Sequence, residues 1–231
     1  MPSSALKNAL VLSAGGMFGA YQAGAWKGLA GRFRPDVVIG ASVGALNGWA
    51  IAGGAAPEQL IAQWLDPGCA RLARIRLPGA PWRGIFDPAP LAERTEALWK
   101  AYRPRVEVGV VAVELGRFRP RLFRNAEITW RHLAASCAVL MCYPQVRIDS
   151  SWFTDGGLLG ALPLWAAVAL GAERIVAVNV LERGPLAAVP RGGGRGAGRA
   201  SPAAPSRSSR PRVSDCSLPA ARLPAPGRVL G

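Results

Sequence analysis

The chain has 231 residues, 50% hydrophobic and 18% charged, enough for one α/β domain with its own core and too apolar to be disordered throughout. Its formal charge of +14 is uneven, because residues 183–231 carry nine Arg against one Asp. Four Cys (69, 137, 142 and 216) form no CxxC pair and His132 is the sole histidine, which excludes the usual Cys/His zinc spacings and restricts any Ser-His-Asp triad to that imidazole.

In chain order, Asn8 to Ser13 (NALVLS) reads as a strand ending in a glycine cluster, and Met17 to Leu29 fits a helix with Tyr21, Ala25 and Trp26 on neighbouring turns. Pro35 to Gly40 is a second β-branched run, followed by Ala-Ser-Val-Gly and a small-residue helix that Gly53 and Gly54 would stop. This repeated strand-turn-helix unit argues for a mostly parallel central sheet covered by helices, a three-layer α/β/α class. Residues 57–65 and 88–100 look helical, each opening on Pro, with a Pro- and Arg-rich connection over 66–87 between them. Val106 to Leu115 and Arg119 to Arg124 bracket Gly116 as a strand pair whose Arg117, Arg119 and Arg121 share one face, read as a solvated edge. A helix is expected over 127–140, an extended piece over 145–153, a helix over 162–170 and a fully buried strand over 174–180. From Arg183 on, eight Gly and eight Pro without hydrophobic period indicate a disordered basic tail. The expected organisation is an extension over 1–7, a catalytic domain over 8–182 and a tail over 183–231.

Two long stretches carry no charge, 19 residues between Lys7 and Lys27 and 21 between Asp36 and Glu58. Both are interrupted by Gly, Ser, Gln22 or Asn47, so neither reads as a membrane span. Ala9 to Leu12 is followed at once by Ser-Ala-Gly-Gly, too short for a signal-peptide core. The expected location is cytoplasmic, with peripheral contact at a membrane surface open; Trp64, Trp82 and Trp99 read first as core and rim packing, second as bilayer contacts. The tail segment RGGGRGAGR (191–199) is similar to basic segments that bind single-stranded nucleic acid but lacks aromatics for stacking, so nucleic acid is not the expected partner.

The chemistry concentrates at three glycine turns. GASVG (40–44) places Ser42 in a G-x-S-x-G at a strand-to-helix junction, the sharp turn that lifts a nucleophile above a sheet edge. Ser13 to Gly19 offers backbone N–H groups at a helix N-terminus, where a developing oxyanion is stabilised. If the first two strands are neighbours, both turns open at the same carboxyl edge. His132 would project from an apolar helix with no carboxylate placed to orient it, so Asp155 in TDGG (154–157) is the better base.

As an ordered set these motifs resemble the patatin-like phospholipase family of acyl hydrolases. SAGGMFGAYQAG (13–24) is similar to that family's oxyanion motif, GASVGALNG (40–48) to its nucleophile elbow, AASCAVL (134–140) to the helix before the second catalytic residue, and residues 155–180 to its Asp-Gly-Gly/Ala segment and the strand beyond. The resemblance implies Ser42 as nucleophile and Asp155 as general base in a dyad that needs neither His nor cofactor nor metal. It further implies Gly15, Gly16 and Val43 as oxyanion donors, and Gly19, Gly40, Gly44, Gly156 and Gly157 as motif glycines. The substrate implied is a phospholipid, lysophospholipid or related acyl ester. Ala14 stands where the family has its first glycine, Phe18 where it has a basic residue and Leu140 where it has Pro. The low-complexity tail replaces further ordered structure, so the expectation includes a domain shortened at its C-terminus.

Two other readings compete. Ala14-x-Gly16-x-x-Gly19 nearly matches a dinucleotide fingerprint, but that motif needs an acid at the end of the second strand, and Asp36 begins it. The other is an impaired scaffold of the same fold whose basic tail binds anionic lipid or nucleic acid.

Overall fold

The computed structural model describes residues 6–76 and 83–181. The tail over 183–231, Trp82 and Cys216 lie outside the described residues, as does all but the end of the 1–7 extension. Lys7, at that end, is already built in, its Nζ donating to Leu170 O at 2.7 Å and pairing with Glu107 at 2.8 Å.

Seven strands form one sheet: β1 (Asn8–Leu12), β2 (Val37–Ala41), β3 (Glu107–Glu114), β4 (Arg119–Arg124), β5 (Val146–Ile148), β6 (Ser151–Thr154) and β7 (Arg174–Val178). The order is β5-β6-β3-β2-β1-β7, with β4 also pairing with β3. β1, β2, β3 and β7 are mutually parallel, and β4, β5 and β6 supply antiparallel pairings. Successive residues of β1 serve opposite faces, as a period of two requires. Leu10 and Leu12 pack with Val38, Trp49, Leu98 and Leu133 on one side, while Ala9 and Val11 pack with Val37, Ile39, Ala166 and Leu170 on the other. Burial on both faces explains why β1 and β2 read as unbroken apolar runs rather than alternating ones.

The first face is covered by α1 (Gly19–Leu29), α2 (Val43–Ala52), α4 (Pro88–Ala101) and α5 (Trp130–Ser136), with α3 (Pro57–Leu65) against α1; α6 (Leu164–Ala169) covers the second. The layering is that expected, α/β/α on a mostly parallel sheet. Three local expectations are corrected. Among the described residues β7 pairs with β1 alone and lies at the edge of the sheet, and Arg174 and Ala177 are exposed, so it is not fully buried. The helix expected over 127–140 shortens to α5, because residues 137–143 are needed as a loop whose Ala138 carbonyl receives the end of β6. The extended piece over 145–153 is a hairpin of β5 and β6, turned at Asp149 with φ 51°. Of the three arginines expected to share one face of the β3–β4 hairpin, Arg117 and Arg119 reach the buried Glu114 at 3.4 and 3.5 Å, and Arg121 lies over the rings of Phe123 and Phe153.

Candidate active site at the carboxyl edge of the sheet

β2 ends at Ala41 and α2 begins at Val43, so Ser42 alone makes the turn. It does so at φ 54°, ψ −128°, a conformation that costs a non-glycine residue about 1–3 kcal/mol. The flanking glycines are steric requirements of that turn. A Cβ on Gly40 would run into the Gly44 carbonyl, and one on Gly44 would meet the Leu12 carbonyl and sit 2.6 Å from Ser13 O. The elbow is thus pressed against the end of β1.

Asp155 arrives from the other direction. β2 runs parallel to β3 along residues 107–111, and β6 runs antiparallel to β3 at 113–114, on the edge opposite β4. β2 and β6 therefore occupy the same edge of β3 and meet nearly end to end. Ser42 is the first residue past one strand and Asp155 the first past the other. Gly156 permits the approach, since a Cβ there would strike Val111 O and come within 3.2 Å of Ala41 Cβ.

The C-terminal end of α5 locks this junction. Ser42 N–H donates to Ser136 Oγ at 2.9 Å, Ser136 Oγ–H donates to Val111 O at 2.6 Å, and Gly156 N–H donates to Ser136 O at 3.0 Å. Asp155 N–H donates to Ala138 O at 3.0 Å, and Thr154 Oγ1 donates to the same carbonyl at 2.7 Å. Sequence reading placed 134–140 beside the second site residue but did not single out Ser136. Its signal was a lone hydroxyl in an otherwise apolar helical turn.

The Asp155 side chain is buried, and burial pushes its pKa up; the Ser42 hydroxyl and the Gly157 N–H oppose that shift. Oδ1 accepts from Gly157 N–H at 2.7 Å, whereas Oδ2 is buried with no hydrogen-bond partner among the described residues. Ser42 thus stands near enough to act on the carboxyl without meeting it in hydrogen-bond geometry. Cys137 lies against the same pair, its thiol pushed well up by burial and then by the Asp155 charge, which keeps it protonated.

The glycine turn supplies the third side. Ser13 N–H donates to Val178 O and Ala14 N–H to Ala161 O, after which Gly15 and Gly16 turn the chain into a short 3-10 segment leading to α1. The backbone N–H groups of Gly15, Gly16 and Val43 donate no backbone hydrogen bond among the described residues. Ala14, the departure from glycine, is buried with its methyl 2.5 Å from where a Gly157 Cβ would stand, so the turn and the Asp-Gly-Gly segment fit only because position 157 is bare. At Gly19 a Cβ would collide with Val43 and the Trp64 ring.

A buried polar chain fixes the glycine turn to α2 and α3, and sequence reading took two of its members, Gln22 and Asn47, as breaks in apolar runs. Gln22 Nε2 donates to Ser13 O at 2.7 Å, Asn47 Nδ2 to Gln22 Oε1 at 2.9 Å and to Gly19 O at 3.0 Å, and Trp64 Nε1 to Asn47 Oδ1 at 2.9 Å. Trp64 is therefore rim packing with a polar task, and Trp99, donating to Ile128 O, is likewise packed inward.

His132 is buried in α5, accepts from Thr129 N–H through Nδ1 at 3.0 Å and packs edge-on against Phe123. Burial lowers its pKa, and it serves as a neutral helix cap. Asp36 lies at the opposite edge of the sheet from the glycine turn, its carboxylate accepting from Asn8 N–H at 2.7 Å, where it cannot serve a dinucleotide ribose. Shape alone would not locate the site, since a mostly apolar cavity of about 300 Å³ between α4 and α5 touches Ala138 but neither Ser42 nor Asp155. Among the described residues no group of three or more His, Cys, Asp or Glu is placed to hold a metal ion, and no helix is long and apolar enough to cross a membrane.

No curated protein matches the sequence. Among solved structures the chain is similar in fold to VipD from Legionella pneumophila, with a TM-score of 0.50 at 14% identity over 68% of this chain and 47% of that one, so it spans about half of VipD's length. The family model of patatin-like phospholipases matches residues 10–168, a span that includes Ser42 and Asp155, and the chain belongs to that family.

Proposed function

We propose that the protein is a lipid acyl hydrolase that cleaves a carboxylic ester of a phospholipid, lysophospholipid or related lipid through an acyl-enzyme on Ser42, with Asp155 as general base. The observation that carries this reading is the convergence of β2 and β6, which delivers a strained serine and a buried, half-partnered carboxyl to one point.

In the first half-reaction the Ser42 Oγ–H proton passes to Asp155 as Oγ bonds to the ester carbonyl carbon. The negative charge that develops on the carbonyl oxygen is met by the free N–H groups of Gly15, Gly16 and Val43. Collapse breaks the ester C–O bond, the alcohol leaves with the proton from Asp155, and the acyl group stays on Ser42. Water then attacks, Asp155 takes its proton, and the acid is released with Ser42 regenerated. A carboxyl raised by burial suits this task, because a base works best when its pKa approaches the working pH. The rate should therefore rise with pH through a pKa displaced above the ordinary carboxylate range.

Fluorophosphonate labelling tests the assignment. The label should fall on the Ser42 peptide, vanish in Ser42→Ala, and slow in Asp155→Asn by about 10²–10⁴-fold, the usual contribution of a general base. A folded protein that takes no label would sink the reading and leave the non-catalytic scaffold.

A further inference from the structure

The loops around the dyad are apolar and exposed where they need not be. Met17 and Phe18 on the glycine turn are each 62% exposed, Met141 past α5 is 76% exposed, and Leu140, Leu158 and Leu159 stand out beside them. Scattered surface apolar residues are ordinary, but these are tied together by the backbone. Leu158 N–H donates to Asp155 O, Asp155 N–H to Ala138 O two residues before Leu140, and Gly157 packs on Ala14 at the root of the Met17 turn. The strip continues outward, since Ile85 N–H donates to Met141 O at 3.2 Å, Arg76 N–H donates to Ile85 O at 2.8 Å, and Ile75 bridges to Phe86. Ile75 is 73% exposed and Ile85 is exposed as well.

Charge is distributed to match. Segments 13–26, 133–146 and 156–172, which build this rim, contain no Asp, Glu, Lys or Arg. The exposed charges flanking its outer end are Arg74 and Arg83, neither of which forms an ion pair among the described residues; Arg76 is half-buried, with its guanidinium donating to Arg83 O at 3.4 Å, and Asp87, whose N–H donates to Arg74 O, has its carboxylate occupied by Ala89 N–H at the start of α4.

We propose that this rim is a docking surface for an anionic lipid bilayer: the apolar loops enter the boundary between headgroups and acyl chains, and Arg74 and Arg83 meet the headgroup phosphates. The occupant follows from the pairing of an uncharged apolar ring with two exposed arginines that have no ion pair among the described residues, the neighbouring acid, Asp87, being taken up in capping α4; that pattern is complementary to an anionic interface. The inference rests on the hydrolase reading only for its purpose, to hold the dyad at the level of the ester bonds; binding itself needs no turnover.

The full chain carrying Ser42→Ala, sedimented with phosphatidylcholine vesicles with and without phosphatidylglycerol, separates attachment through the rim from attachment through the basic 183–231 segment. The parent should bind the anionic vesicles more tightly, and adding Ile85→Ser and Met141→Ser should weaken that binding at least about tenfold. In the Ser42-containing background the same pair should leave hydrolysis of a soluble short-chain ester unchanged. Binding equal to the parent's, abolished by salt in both proteins, would assign attachment to the basic tail and overturn the proposal. If the apolar pair does not fold by circular dichroism, Arg74→Glu with Arg83→Glu, which alters exposed side chains only, must lower binding to the anionic vesicles; unchanged binding there overturns it equally.

Discussion

The two ends of the same parallel strands are built on opposite terms. At the amino edge every notable polar group is satisfied: Glu107 joins Lys7 at 2.8 Å and Arg124 at 2.7 Å, Lys7 caps Leu170 O, and Asp36 receives the Asn8 N–H. At the carboxyl edge Ser42 holds a positive φ, Asp155 Oδ2 is buried without a partner, and Gly40, Gly44, Gly156 and Gly157 are pressed against neighbouring atoms that leave no room for a Cβ. Local strain and unpaired polar atoms gathered at one end of an otherwise regular sheet are what a site with work to do looks like. The core holding both ends is shared, so substitutions at the two edges should separate function from stability.

The largest effect is expected at Gly44. An alanine methyl would overlap the carbonyls of Leu12 and Ser13, and since both are backbone at the end of a central strand, neither can swing aside. Gly44→Ala should cost about 3 kcal/mol or more, measured as a shift in the denaturant midpoint, with activity lost alongside. A variant as stable as the parent would mean the elbow is looser than its geometry states. Ser136→Ala comes next. It strands the buried Ser42 N–H and Val111 C=O, costing about 2–3 kcal/mol. Under the proposed mechanism Ser136 acts only by holding the Ser42 backbone, so kcat should fall about tenfold while KM and the pH profile hold. A change in KM alone would argue against positioning.

The same contrast decides what could be read without coordinates. β1, β2 and the elbow were legible because each rests on local rules: a β-branched run, a turn that tolerates only Gly at 40 and 44, and a helix closed by Gly53 and Gly54. β7 was misjudged because RIVAV is apolar enough for a central strand, and its place at the edge depends on which strands lie beside it. Ser136, Gln22 and Asn47 were missed for a related reason. A single polar residue in an apolar stretch says that something must satisfy it, and only the fold says what. The pairing of Ser42 with Asp155 spans much of the chain and depends on β2 and β6 sharing an edge of β3, which no periodicity encodes.

The two buried-edge carboxyls offer the sharpest comparison, because neutralising them should move stability in opposite directions. Glu107 has its pKa lowered, chiefly by the hydrogen bond from Lys7 and against the effect of burial, with Arg124 adding to the shift. It contributes stability above its unfolded pKa, and that contribution is lost as pH falls through the lower folded value. Glu107→Gln should therefore destabilise at neutral pH, by about 1 kcal/mol for a partly exposed pair, and the loss should shrink in acid. Asp155 has its pKa raised, so its ionised form is the strained one: stability is greatest below its unfolded pKa and is lost as pH rises through the folded value. Asp155→Asn should accordingly raise the neutral-pH melting temperature by a few degrees, on the order of 1 kcal/mol, while slowing by about 10²–10⁴-fold the labelling that Glu107→Gln leaves intact. If both substitutions destabilised the protein alike, the carboxyl edge would be no more strained than the amino edge. Opposite signs would locate the burden of the site in the one oxygen of Asp155 that has no hydrogen-bond partner among the described residues, on the carboxyl proposed to take the Ser42 proton.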